Sequence, residues 1–310
     1  MDRVTTFGAY NSVISSLMSA EMRLNQANVQ VSSGKVAQDL KGFGANAEAL
    51  TAAQTLKTRV DGFVSNAKAL SSKLDAQDLA LSQVADASQS ARAAIANAVA
   101  TGRADGLMSA LQSAFSQATS GLNTQFNGHY LFAGGRVDTA PVAAQTLGDL
   151  TSPPPGGVFQ NDQLAATSRL DETTSIQSGM LASNVGTGLF NALGNVQAFS
   201  QGAGGPLSGQ LTQAQSDYLT SMLATFDTAG QGLTNTVAVN GLMQNRVDQT
   251  LNAQQDRQSV LEQMIGGVTD VDVAEAASRL SQAQVALQAS AHIFASLQNT
   301  SLLNYLSATG

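Results

Sequence analysis

Apolar residues return every three or four positions at both ends of this chain. Near the start they are Tyr10, Val13, Leu17, Ala20, Leu24, Ala27 and Val31. Near the end they are Val273, Ala276, Leu280, Ala283, Leu287, Phe294 and Leu297. Steps of three and four put such residues on one narrow line of an α-helix, the seam of a coiled coil. A helix resting on a globular core carries a wider apolar stripe. The spacing therefore predicts two long terminal helices that bury their seams against each other. Two separate amphipathic helices on one core remain the alternative reading.

Between the seams the period is helical, then breaks, then returns. The first helix is expected to end in "SSGKVAQDLKGFGAN", where Gly34, Gly42 and Gly44 disfavour helix and Ser32 and Ser33 compete for backbone hydrogen bonds. Leu50, Ala53, Leu56, Val60, Ala67, Leu70, Leu74, Leu81 and Val84 restore the helical beat, which runs to about Val99. "TGRADG" reads as a turn and 107–126 as another helix. At "NGHYLFAGG" the apolar group Tyr130 to Phe132 sits between glycines and predicts a short β-hairpin. All five prolines fall between Pro141 and Pro206. Proline is excluded from helix interiors, so 136–184 reads as a small β-rich or irregular insert, followed by a short helix in "GTGLFNALGNVQAFSQ".

Helix is expected again over 208–265, broken by Gly266–Gly267 before the terminal helix. At roughly 1.5 Å of rise per residue it extends on the order of 80 Å, which suits a rod. The predicted fold is mainly α: an elongated helical rod with paired N- and C-terminal coiled-coil helices, a short β-hairpin and a small β-rich inserted domain. Its expected domains are 1–40 with 267–310, 41–135 with 206–266, and the insert 136–205. An insert at one tip of a rod is expected to lie outward, and deleting 140–180 is expected to be tolerated.

Composition narrows the function. Charged residues make up 12% of the 310, about half the usual share. A surface so poor in charge suits a protein covered by other subunits. The net charge of −7 and scattered Lys and Arg offer no basic stripe, which argues against nucleic acid. With no cysteine there is no disulfide, thiolate nucleophile or Cys-based metal site. No run of about 18 apolar residues predicts a membrane span, and the first residues lack the apolar core of a secretory signal.

The search for chemistry ends without a catalytic set. His129 and His292 lack metal-pair spacing, and no cofactor is expected. "SSGK" is not a phosphate loop, because Val29 and Val36 stand where that loop needs Gly and Ser or Thr. "GFG" at 42–44 lacks the preceding strand and third glycine of a dinucleotide site. Asp171 and Glu172 read as solvated acids in a polar loop, and the sequon at Asn299 lies on the terminal helix seam. The residues singled out are therefore those of a seam: Tyr10, Val13, Leu17, Leu24, Val31, Val273, Leu280, Leu287, Phe294 and Leu297.

Three segments carry a resemblance. The first helix running into "VSSGK" and the closing "DVAEAASRLSQAQVALQASAHIFASLQNTSLLNYL" are similar to the two ends of the flagellin superfamily. "NGHYLFAGGRVDTAPV" resembles the hairpin of its hook-associated branch. The likeness covers about 1–140 and 205–306. It departs in "VAQDLKGFGAN", which has Asp39 but no Pro, and in the tail "SATG". The resemblance implies an extracellular structural protein of the bacterial flagellum at the hook–filament junction, exported through the flagellar type III channel without a cleaved signal peptide. It implies ends that order on assembly. As partners it implies the first hook-associated protein, flagellin, further copies of itself in a helical ring and an export chaperone.

Overall fold

The computed structural model describes residues 2–154 and 157–307, and the side chains of 10–296 within them. The elements are mainly helical, with two small antiparallel sheets. The chain divides into two units, 1–59 with 257–310, and 60–256.

In the first unit, helix α1 (Asp2–Ser33) pairs with helix α7 (Val273–Ser307). The pairing is antiparallel: Tyr10 meets Phe294 with ring centroids 5.4 Å apart, and Lys35 meets Asp270 at 2.5 Å. Ala20, Ala27, Ala276 and Ala283 are buried on the seam, while Val13, Leu17, Leu24, Val31, Leu280, Leu287 and Phe294 are half-buried.

The predicted break at Gly266–Gly267 does not occur. Helix α6 (Gln213–Thr269) passes through both glycines and ends two residues later. Each glycine costs a helix about 1 kcal/mol against alanine, which packing can override. The stop is fixed instead at Asp270 and Asp272. Asp270 N–H still donates to Gly266 O at 2.8 Å, and Val271 N–H pairs with Gly34 O at 3.0 Å. The Asp272 carboxylate accepts from Ala274 N and Glu275 N, at 2.9 and 3.1 Å, and so caps α7.

The second unit holds most of helix α2 (Ala47–Thr101), helix α3 (Leu107–Leu122), helix α5 (Ala182–Gln201) and α6 as far as Asp256. Helix α2 places Ala67, Leu74, Leu81 and Ile95 at multiples of seven on one buried line, with Leu70, Val84, Ala91 and Ala98 on a second. Helix α6 answers with Leu219, Phe226, Leu233, Asn240, Val247 and Gln254, again in sevens and all buried. They run antiparallel, since Gln77 bonds Asn240, Asp75 bonds Gln244 and Arg92 pairs with Asp227.

The hairpin appears as strands β1 (Gln125–Phe126) and β2 (His129–Tyr130). Asn127 and Gly128 make its turn with φ of 52° and 82°, the two positive angles a tight two-residue hairpin needs. The predicted helix 107–126 therefore stops at Leu122. Asn123 takes over as a brace, its amide joining Val142 through bonds of 3.1 and 2.9 Å.

The insert contains a one-turn helix α4 (Gly148–Thr151) and a hairpin of β3 (Thr167–Arg169) with β4 (Ser175–Gln177). It is not the outlying module expected from its prolines. Val142, Ala144 and Leu147 are buried in the same core as α3 and α5. Leu170 and Ile176 close over Ala67, Leu70, Leu74 and Val247. The Asp162 carboxylate accepts from Gly135 N at 2.8 Å and Leu164 N at 2.9 Å, so the insert also pins the "AGG" loop. A Cβ at Gly134, where φ is 71°, would fall 2.2 Å from that carboxylate.

Candidate assembly interface

The seam residues found by spacing come together as one antiparallel helix pair, with two exceptions. Val273 is 56% exposed and lies off the seam. The reason is geometric: a straight α-helix rotates by roughly 20° for every seven residues, so three sevens back from Phe294 puts Val273 about 60° away. Tyr10 sits three sevens before Val31 and is likewise the most exposed seam member of α1, though its ring still reaches Phe294. The side chain of Leu297 lies outside the described residues.

The pair is made from small contacts. Its buried apolar side chains are alanines, and each leucine on the seam keeps part of its surface open. Alanine layers bring the helix backbones close, and leucine layers between them overhang the edge. Outside the seam, Met18, Met22, Val29, Val285 and Ile293 are exposed. A two-helix contact with so much apolar surface left open has the chemistry of a piece of a larger bundle.

A clasp closes one end of the pair. The sequence reading stopped the first helix in this loop but did not see its partner. Lys35 Nζ reaches Asp270 Oδ1 at 2.5 Å, and Val36 N–H donates to Thr269 O at 2.8 Å. Buried Gln30 donates to Val36 O at 2.9 Å. The Lys35 hydrogen bond, followed by that of Thr269, holds the Asp270 carboxyl below its ordinary pKa.

Among the described residues, neither unit gathers a nucleophile, a base and an oxyanion donor. His129 Nδ1 lies 3.1 Å from Asp138, both exposed, and His292 stands exposed on α7. Among the described residues no group of three His, Asp or Glu side chains is placed to hold a metal, and no helix is long and apolar enough to cross a membrane. Asp171 caps its own turn, accepting from Thr173 N at 2.7 Å and Thr174 N at 2.6 Å. Those backbone bonds, Thr173's first, pull its pKa down to about 2. Lys73 is half-buried, and desolvation pushes its ammonium pKa down.

The comparisons agree with this picture. Residues 4–136 match the bacterial flagellin N-terminal helical region, and 223–306 match the bacterial flagellin C-terminal helical region. No curated protein matches the chain. A Vibrio parahaemolyticus structure described as a candidate flagellar hook-associated protein is similar in fold, with a TM-score of 0.60 at 18% identity. That match covers 72% of this chain and 97% of the other. Bacillus cereus FlgL is similar in fold with a TM-score of 0.52 at 12% identity, over 70% of this chain and 98% of its own. Carrying both terminal helical regions around a hairpin and insert, the chain belongs to the flagellin superfamily and is built as a flagellar structural protein.

Proposed function

We propose that this chain is a non-enzymatic adaptor of the flagellum, joining hook-associated proteins to the flagellin filament. The observation that carries the reading is the terminal helix pair, which matches the flagellin terminal regions yet leaves its seam leucines half open and Met18 and Met22 exposed. Such a surface is completed by neighbouring subunits. On this reading the neighbours are the first hook-associated protein on one side, flagellin on the other and further copies of the chain in a helical ring. The protein works outside the cell, after export through the flagellar type III channel with the help of a chaperone. The hairpin at Asn127–Gly128 and its brace to the insert favour the junction over the filament itself, in line with the fold shared with FlgL.

Deleting the gene and viewing the cells by electron microscopy tests this. The expected result is hooks without filaments and flagellin released into the medium. Filaments still attached to hooks would overturn the junction role. Loss of filament with no flagellin in the medium would identify the chain as the filament subunit.

A further inference from the structure

Charge is scarce in α1, and its placement is informative. Residues 4–34 contain two charged side chains, Glu21 and Arg23. Neither has a hydrogen-bond or ion-pair partner among the described residues. By contrast, on α7 Arg279 is engaged by Glu275 at 2.5 Å, and at the clasp Lys35 is engaged by Asp270. Two positions apart on a helix means about 200° of rotation, so Glu21 and Arg23 point to opposite flanks.

Each flank has its own shape. Arg23 lines a recess of about 340 Å³ between α1 and α7, together with Ala20, Ala27, Ala283 and Ala286 and with the polar Gln26, Gln30, Gln282 and Arg279. The alanines admit a close approach, and the volume suits a row of side chains rather than a whole helix. On the other flank Met18, Met22, Asn25 and Val29 follow steps of four and three along α1, with Glu21 beside them. The three apolar members are 60%, 64% and 40% exposed. This is a second seam, carrying one carboxylate and facing no helix among the described residues.

We infer that the Met18–Val29 stripe of a second copy of this chain lies in the recess, with its Glu21 paired to Arg23. The inference rests on the self-association proposed above and supplies its contact. Stripe and recess are different surfaces, so the contact is head-to-tail. Copies add in one direction rather than closing as a two-fold pair. The apolar stripe gives the contact its burial, while the single charge pair fixes register and direction.

The chain has no cysteine, which makes the test clean. A full-length Glu21→Cys/Arg23→Cys variant, expressed in the deletion strain and mildly oxidised on isolated flagella, should give a ladder of covalent multimers on a non-reducing gel. Each single variant should remain monomeric, because its thiol then meets Arg23 or Glu21 of the neighbouring copy rather than a second thiol. Within one chain the two thiols point apart and cannot bridge. A double variant that remains monomeric overturns the contact. Separately, Arg23→Glu and Glu21→Arg should each abolish swimming, and together they should restore it. Wild-type swimming by either single variant, or no rescue by the pair, would also overturn it. The two readings fail differently. A ladder in a strain whose deletion leaves filaments attached keeps this contact and removes the junction role. No ladder where deletion strips the filaments does the reverse.

Discussion

The terminal helix pair and the 60–256 unit are written with the same seven-residue repeat but packed to different depths. In the larger unit Phe115, Phe132 and Phe226 are fully buried, and Phe190 lies against both Phe115 and Phe159 at centroid distances of 5.2 and 5.4 Å. In the terminal pair the buried apolar positions hold alanine, and the leucines are half open. One region closes a deep core of large side chains. The other aligns about thirty residues per helix along a narrow line, at about 1–2 kcal/mol of backbone entropy per residue. The repeat alone does not tell a self-sufficient core from one awaiting neighbours; the size of the residues between the leucines does.

The most disruptive way to break that comparison is to remove 140–180 and bridge the gap with a Gly/Ser linker. This takes Val142, Leu147, Leu170 and Ile176 out of the core. The larger unit should lose its cooperative thermal transition by circular dichroism. A shortened protein that melts like the parent would restore the picture of a detachable insert.

A paired substitution separates the two regions directly. Phe226→Ala should cost the larger unit about 3–5 kcal/mol, lowering its melting temperature by on the order of 10 °C. Leu287→Asp should leave that melting transition within about 0.5 kcal/mol of the parent, as expected of an open site, and abolish swimming. A swimming strain carrying Leu287→Asp, or a large drop in melting temperature, would contradict the division of labour.

A smaller effect is expected at the polar layer between α2 and α6. Gln77 donates to Asn240 at 3.0 Å, Asn240 donates to Leu74 O at 3.1 Å, and Gln77 Oε1 is buried without a partner among the described residues. Asn240→Leu strands the Gln77 amide and should cost about 1–3 kcal/mol, whereas the double change with Gln77→Leu should be nearly neutral. Denaturant melts of the three variants decide it. A double variant that loses the sum of the two single losses would show that the two residues are not coupled.

The least effect is local and acid-dependent. Asp171 titrates at about 2 in the folded chain, below the ordinary aspartate value of about 3.9. Its contribution to the β3–β4 turn is therefore complete above about pH 4 and lost as pH falls towards 2. The amide resonances of Thr173 and Thr174 should shift with a midpoint near pH 2. A midpoint near 4 would mean that the turn bonds are not held in solution.

The elements were legible where a period of seven ran long. The terminal seams, α2, α6 and the Asn127–Gly128 hairpin all follow from local rules of spacing and backbone sign, and the family likeness rests on those same segments. Three matters were not legible, two of them for want of a distant partner. Gly266–Gly267 looked like a stop, but the stop belongs to Asp270, which meets a loop more than 200 residues earlier in the chain, and to Asp272, which caps α7. Val273 fitted the repeat and was rotated off it by the mismatch between 3.6 and 3.5 residues per turn. The prolines of 136–184 announced irregular chain, and irregular chain can lie outside a core or fill it. Val142 and Leu170 fill it, because the side chains that receive them come from α2, α3 and α6, and only folding brings those together.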